Sequence, residues 1–397
     1  MQDKEAQKDV REEILDILAG CINCRFCLPS CPRFEITTGE VCQGASGITR
    51  AIYYAIKSKE TDRTILKELR DILYACTTCK NCELACKRLS TGTKLVAAIE
   101  KGRQLLIDEL IGPMPSQNKA LQSLYNYGNP YGELPSKRTE WLKTLSVPNI
   151  SEEVEILLYI GCTVFHDPSA RNMATALARL LKKAKIRFAI LEDEICCGEP
   201  AFRMGDVGLF EDISTKNMSR FESLGVNHIV TLSPHCFDTF RNHYPEGIMQ
   251  GIQIQHYTQL LADLIEQKRL DFKKNMEKRK VVFQDPCYLG KHNDIYDAPR
   301  KVLRSIPGLE VVELPRTRED SLCCGGGGGR MWSDFESERG RLANIRIREA
   351  LATGADIIAT ACPWCFINMV DGIKAVQEDD SSGIQSKDLA QLCVEAL

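Results

Sequence analysis

Eight cysteines in the first quarter of the chain stand at spacings that call for metal chemistry. Cys21, Cys24, Cys27 and Cys31 are separated by two, two and three residues and followed by Pro32; Cys76, Cys79, Cys82 and Cys86 repeat the run, with Lys87 in place of the proline. Three thiolates this close wrap one face of a 4Fe–4S cube, and the fourth reaches a neighbouring cube. The spacing therefore predicts one cube on Cys21, Cys24, Cys27 and Cys86 and a second on Cys76, Cys79, Cys82 and Cys31. Zinc sites of four cysteines use paired knuckles separated by longer loops, which four thiols within eleven residues do not supply. The proline shapes the chain and ligates nothing, so its loss at Lys87 leaves the ligand count intact.

The second half carries another set of thiols, and it repeats. Cys162, the pair Cys196–Cys197 before Gly198, and Cys236 are echoed by Cys287, the pair Cys323–Cys324 before Gly325, and Cys365, at offsets of about 125, 127 and 129 residues. The flanking text keeps the register: Thr231-Leu232-Ser233-Pro234-His235-Cys236-Phe237 lies over Thr360-Ala361-Cys362-Pro363-Trp364-Cys365-Phe366. One position differs in kind, Ser233 against Cys362. The first unit thus offers Cys162, Cys196, Cys197 and Cys236; the second offers Cys287, Cys323, Cys324, Cys362 and Cys365. Four thiols suit a zinc ion or a cube, and five exceed both. Gly325 to Gly329 form a run of five glycines that permits close backbone approach; it fits a chain wrapping a cluster, a surface tip or a phosphate nest. No Gly-Lys-Ser/Thr follows it and no dinucleotide fingerprint opens a helix, which leaves nucleotide binding weakly supported.

The elements that must position these thiols follow from periodicity. Apolar runs at residues 156–160, 188–191, 229–232, 281–283, 311–314 and 357–361 read as strands, and residues 170–183, 298–305 and 337–352 as helices. Strands alternating with helices imply parallel sheets covered by helices, whose ligands collect at the carboxyl ends of the strands. The expected fold is α/β: two tandem Rossmann-like domains at residues 153–272 and 273–397. Between the two early cysteine runs, Ile48, Ile52 and Ala55, and Ile65, Leu69, Ile72 and Leu73, recur at the helical period, so residues 1–111 form an α-helical two-cluster domain. Residues 112–152 hold five of the 16 prolines (Pro113, Pro115, Pro130, Pro135 and Pro148), a density that breaks regular structure and marks a connector. Its Tyr125, Tyr127, Tyr131 and Trp141 are expected to pack on a neighbour.

Composition narrows the class. The chain has 397 residues, 44% of them hydrophobic and 26% charged, enough for two or three ordinary cores. A net charge of −3 gives no footprint for nucleic acid. Nineteen cysteines are several times ordinary usage. The opening residues show no secretory h-region and no apolar stretch approaches membrane-spanning length, so the expectation is a cytoplasmic protein, membrane-associated only through a partner, with thiols serving metal rather than disulfides. Cys42 and Cys393 fall outside the motifs. Lys291, His292 and Arg330 lie beside the five-thiol unit as candidates for an anionic thiol substrate, with a structural role the alternative.

The early runs are those of bacterial ferredoxins, and the whole arrangement resembles the heterodisulfide reductase family, in particular its D subunit, where a ferredoxin-type domain is fused to two CCG domains. The stretches Asp285-Pro286-Cys287-Tyr288-Leu289-Gly290, Leu322-Cys323-Cys324-Gly325 and Ala361-Cys362-Pro363-Trp364-Cys365 carry the resemblance most clearly. It implies a noncubane 4Fe–4S cluster on Cys287, Cys323, Cys324, Cys362 and Cys365, cleaving a disulfide with electrons fed one at a time from the cubanes. The same modules occur as relay subunits of lactate, glycolate and glycerol-phosphate dehydrogenases and of complexes linked to electron-transfer flavoprotein (ETF), quinone or benzoyl-CoA reduction. Expected partners are therefore redox proteins: a flavoprotein or a homologue of the family's A subunit, ETF, or a membrane quinone or cytochrome component. Ser233 departs from the complete set. A cubane or altered 4Fe–4S cluster, a noncubane cluster with an oxygen ligand or none in the fifth place, and zinc or no metal all stay open for Cys162, Cys196, Cys197 and Cys236. An enzyme acting on a disulfide and a pure electron relay remain the two functional expectations.

Overall fold

The apolar runs of the second half form two four-stranded parallel sheets with one topology. In the first, β1 (Ile156–Tyr159), β2 (Phe188–Ala189), β3 (His228–Thr231) and β4 (Gln253–His256) lie in the order β2-β1-β3-β4. In the second, β5 (Arg279–Phe283), β6 (Leu309–Val312), β7 (Ile357–Thr360) and β8 (Gln385–Asp388) lie in the order β6-β5-β7-β8. The register pairs Leu157 with Ile229 and Val281 with Ile357. These central strands are buried on both faces, as a parallel sheet requires. The computed structural model describes residues 9–58, 62–145, 154–273, 277–333, 340–376 and 383–397.

The edge strands β4 and β8 are absent from the sequence reading. Both are short and polar, Gln-Ile-Gln-His and Gln-Ser-Lys-Asp, because one edge of each faces no further strand among the described residues. The helix expected over residues 337–352 is described from Leu342 to Ala352; its first residues, to 339, lie outside the described residues. One apolar cluster joins both sheets: Leu158, Val230, Leu261 and Tyr257 belong to it, as do Val281, Phe283, Ala359 and Leu389.

Two compact units divide the chain. Residues 120–199, 209–326 and 342–397 form the unit that holds both sheets, and residues 1–119, 200–208 and 327–341 form the other. The two outlying pieces of the second of these occupy equivalent places in the repeat, each beginning two residues after the glycine of its cysteine pair. Its framework is helical: Val10–Ala19, Ala45–Lys57, Arg63–Tyr74 and Leu95–Asp108. Asp9 and Asp62 cap the first and third by accepting from backbone N–H groups. On Arg63–Tyr74 the buried stripe is Leu66, Leu69 and Leu73; Leu69 and Leu73 lie where the period puts them, whereas Ile65 is 41% exposed and Leu66 is buried instead.

Residues 112–145 are not irregular. Two helices, Pro115–Tyr127 and Pro135–Leu145, occupy most of them, and each begins on a proline. Proline at a first helical turn loses no hydrogen bond and starts the helix rather than breaking it. Tyr131 stacks on His166 at 4.0 Å and Trp141 packs beside Phe165, whereas Tyr125 and Tyr127 are exposed. The last residues of the proposed connector, 146–152, lie outside the described residues.

Candidate iron–sulfur sites

The two early cysteine runs adopt one backbone conformation. Asn23 and Arg25 in the first, Thr78 and Lys80 in the second, all have positive φ (55°, 64°, 51° and 64°), at matching places between the thiols. Alternating left-handed residues curl the chain so that successive side chains meet instead of diverging. Nothing in the residue types announces this, since threonine, arginine and lysine seldom adopt that conformation.

Thiols of the two runs come together. Cys31 lies with Cys76, Cys79 and Cys82: burial, reinforced by the mutual repulsion of these groups, pushes Cys82 far up and Cys76 up to about 12. Cys27 is likewise raised to about 12, by burial first and then by Cys31, Cys21 and Cys24. Cys24 Sγ sits 3.3 Å from Ser90 Oγ, a contact that lowers its pKa, and Cys86 Sγ sits 3.7 Å from Thr91 Oγ1, so the loop after Cys86 meets the first run. Thiols crowded in this way resist ionisation until a cationic centre compensates them, and iron is such a centre.

A buried arginine supports the second of these groups. Arg103 is wholly buried and donates to the carbonyls of Leu73, Cys76, Arg203 and Gly328. Gly328 belongs to the glycine run; a Cβ there would lie 2.5 Å from the Cys76 oxygen, at φ +63°. Gly328 thus serves close approach to the early cysteine loop, while Gly329 passes its carbonyl to Gln117 in the helix Pro115–Tyr127 at 3.1 Å. Arg330, a sequence candidate for substrate binding, donates to the carbonyl of Ala75.

In the sheet unit, the thiols gather where strand order reverses. Cys162 follows β1 and Ser233 follows β3; Cys287 follows β5 and Cys362 follows β7, and these central strands flank the switch point of each sheet. The pairs Cys196–Cys197 and Cys323–Cys324 come from the chain beyond β2 and β6. In both repeats the second cysteine of the pair is the acceptor. Although burial opposes ionisation, Cys197 is held well down by hydrogen bonds from Cys196 and Cys236, and Cys324 by hydrogen bonds from Cys323 and Cys365. Cys162 and Cys196 have sulfurs 3.7 Å apart, Cys365 and Cys324 3.4 Å. Cys287 is buried at the end of β5. Asn217 and Tyr244 hold the carbonyls of Cys196 and Cys197 at 3.0 and 2.9 Å.

Ser233 and Cys362 are structural equivalents with different employment. Each gives its carbonyl to the residue four on (Phe237 at 3.0 Å, Phe366 at 2.9 Å) and to a threonine two before (Thr231 at 3.2 Å, Thr360 at 3.4 Å). Ser233 Oγ caps its helix by accepting from His235 N–H at 3.3 Å. The Cys362 sulfur instead joins Cys365 and the side chain of His235; against burial, those contacts bring it down to about 5.

His235, unmarked in the sequence reading, is one of the residues that link the repeats. Its Nδ1 lies 2.9 Å from Glu199 Oε1, and its ring packs at 3.9 Å on Tyr288 and 4.0 Å on Trp364. Although burial disfavours the cation, Glu199 and Cys362 hold His235 up to about 9. A repeat alignment does show it facing Trp364, the one signal that could have found it. Lys291 is committed to the carbonyl of Ser321, and His292 stacks on Tyr288 at 4.1 Å, so both serve the architecture around Cys287. Cys42 is exposed and Cys393 buried in the core.

The donor set suits iron–sulfur clusters: the motif thiols come in groups of four and five, and all of them are free of disulfides. Domain comparison agrees. Residues 17–89 match the 4Fe-4S dicluster domain family, and residues 156–241 and 281–370 each match the cysteine-rich domain family called CCG. Fold and site together define the iron–sulfur component of an oxidoreductase. The chain belongs to the family of heterodisulfide reductase D subunits: it is 30% identical to the D subunit of the dihydromethanophenazine:CoB–CoM heterodisulfide reductase of Methanosarcina barkeri, over 96% of this chain and 94% of that one. It is also similar to a probable iron–sulfur-binding oxidoreductase, FadF, of Bacillus subtilis (34% identical, 82% of this chain, 46% of that one) and to EtfAB:quinone oxidoreductase of Syntrophomonas wolfei (32%, 79% and 45%). The chain spans about half the length of these last two relatives. No helix among the described residues is long and apolar enough to cross a membrane.

Proposed function

We propose that this chain carries electrons between two cubane clusters in its helical unit and an iron–sulfur centre on Cys287, Cys323, Cys324, Cys362 and Cys365, as one component of a larger redox complex. The observation that carries the reading is the asymmetry at positions 233 and 362. The hydroxyl of Ser233 is occupied by its helix, whereas the sulfur of Cys362 joins the thiol chain and receives a hydrogen bond from His235. When bound, clusters of this kind supply one-electron transfer, and an open iron in the five-thiol centre would supply a place for substrate sulfur.

The residues divide the work accordingly. Cys21, Cys24, Cys27 and Cys86 would hold one cubane and Cys76, Cys79, Cys82 and Cys31 the other, a crossed assignment supported by the position of Cys31 among the thiols of the second run. Arg103 places a fixed positive charge near Cys76. Cys162, Cys196, Cys197 and Cys236 would hold a further four-thiolate centre.

A second reading rests on Ser233. With one repeat lacking its fifth thiol, a mechanism that needs two matched centres does not operate, and the chain then serves as a relay for a flavoprotein such as ETF, with the quinone-linked relatives as its parallel. One experiment separates the two. Anaerobically purified protein, with iron counted and clusters assigned by electron paramagnetic resonance, is offered either a heterodisulfide with a strong reductant or reduced ETF. Disulfide turnover that vanishes in C362S supports the first reading; oxidation of ETF without disulfide turnover supports the second. Protein without iron overturns both.

A further inference from the structure

Each repeat reaches across to the other with the side chain after its Ser-Pro or Cys-Pro step. Trp364 donates from Nε1 to Thr163 Oγ1 at 2.7 Å, beside Cys162. His235, its counterpart, packs on Tyr288, beside Cys287, and hydrogen-bonds the sulfur of Cys362. The exchange is symmetric in position and unequal in chemistry. The first repeat lends the second a donor aimed at sulfur; the second lends the first a donor aimed at a hydroxyl.

The imidazole is unusually well fixed for this task. It is 5% exposed, clamped between two aromatic rings, and Glu199 takes Nδ1, leaving the other ring nitrogen for Cys362. Glu199 is itself 1% exposed, and its Oε2 has no hydrogen-bond partner among the described residues, so its charge is spent on the histidine. A carboxylate behind an imidazole fixes both ring orientation and tautomer, the arrangement by which outer residues tune metal ligands.

We propose that His235, oriented by Glu199, is a positioning residue that donates a hydrogen bond to the Cys362 sulfur and thereby makes the iron–sulfur centre of the second repeat easier to reduce. The inference rests on the reading that this centre exists. A hydrogen bond to a ligand sulfur stabilises the more negative, reduced state, so its removal leaves the centre less reduced at any fixed potential. In the first repeat the equivalent hydroxyl, Ser233 Oγ, is turned to its own helix.

The test is a redox titration of the full-length, anaerobically loaded protein, followed by electron paramagnetic resonance so that each centre is read separately. At the potential where the wild-type second-repeat centre is half reduced, H235F is expected to show a reduced-to-oxidised ratio about tenfold lower, with the N-terminal cubanes unmoved. E199Q, which keeps shape and a weaker hydrogen bond, shifts the same ratio a few-fold in the same direction. H235Q, which returns a donor at the distal nitrogen's position, recovers most of the loss. An unchanged ratio in E199Q overturns the proposal even where H235F fails to fold. Equal shifts of all centres also overturn it, since that is the signature of a general structural change. A wild-type protein with no second-repeat signal overturns the underlying reading instead.

Discussion

Arg103 Nη2 donates to the carbonyl oxygen of Cys76 at 2.8 Å, at the first thiol of the second cysteine run. The same guanidinium serves Leu73, Arg203 and Gly328, so one buried cation satisfies four carbonyls from three separate stretches of chain. Its field also favours the Cys76 thiolate against the burial that raises it. Replacing it by methionine leaves those carbonyls unpaired, and R103M is expected to lose about 3–5 kcal/mol of stability and part of its iron. Guanidinium melts and iron analysis check this; a loss below about 1 kcal/mol with full iron would refute it.

The glycine run gives a sharper contrast. An added Cβ at Gly328 meets the Cys76 oxygen at 2.5 Å in a left-handed conformation, whereas one at Gly208, within the helix Val207–Ser223, meets nothing within 4 Å. G328A should destabilise the protein by about 2 kcal/mol or more, and G208A should be neutral or stabilising by up to about 1 kcal/mol. Thermal melts of the pair, run together, decide it; equal effects would mean the run is a loose tip.

Ser233 is predicted to be a cap and not a ligand. S233A should cost about 1 kcal/mol, the usual loss of an N-cap, with iron content and cluster spectra unchanged. Loss of iron from the first repeat in S233A would instead make the hydroxyl a ligand.

Two buried groups near the core titrate in opposition. Burial lowers His256 to about 3, with its Nε2 only 3.2 Å from the Leu232 carbonyl; burial raises Asp388 to about 7, partly offset by the Tyr257 hydroxyl at 2.7 Å. Unfolding protonates the histidine below its ordinary 6.5, so its contribution is present above that pH and is lost as pH falls toward 3. Unfolding ionises the aspartic acid above its ordinary 3.8, so its contribution is full below that pH and fades as pH rises through 7. Between about pH 4 and 6.5 the two slopes cancel. D388N removes one of them, and its stability should rise with pH relative to wild type by about 1.4 kcal/mol per unit over roughly pH 5 to 6.5. Denaturant melts at several pH values give the slope, and a difference of opposite sign would exclude this account.

How far the sequence reached depended on whether a feature was a pattern or a contact. The cysteine runs, the repeat and the central strands are patterns of type and spacing, and they read directly. β4 and β8 did not, because an edge strand can be polar and still pair. The helices Pro115–Tyr127 and Pro135–Leu145 were hidden by proline's reputation as a breaker, although at a first turn it is a starter. The stripe through Leu69 and Leu73 read correctly, but Ile65 and Leu66 are adjacent apolar residues at its rim, and periodicity alone does not say which of them turns inward. His235 and Arg103 are the instructive omissions: each matters for what it touches across long stretches of chain, and a lone histidine or arginine carries no period to reveal that.

The crossed contacts of His235 and Trp364 bear on how such a protein can diverge. Were the two repeats separate identical chains forming a dimer, any change at one position would appear at both, and a lost thiol would be lost twice. Fusion into one polypeptide lifts that constraint. One copy can then carry a helix cap where the other carries its fifth sulfur, while its histidine serves the other's thiols.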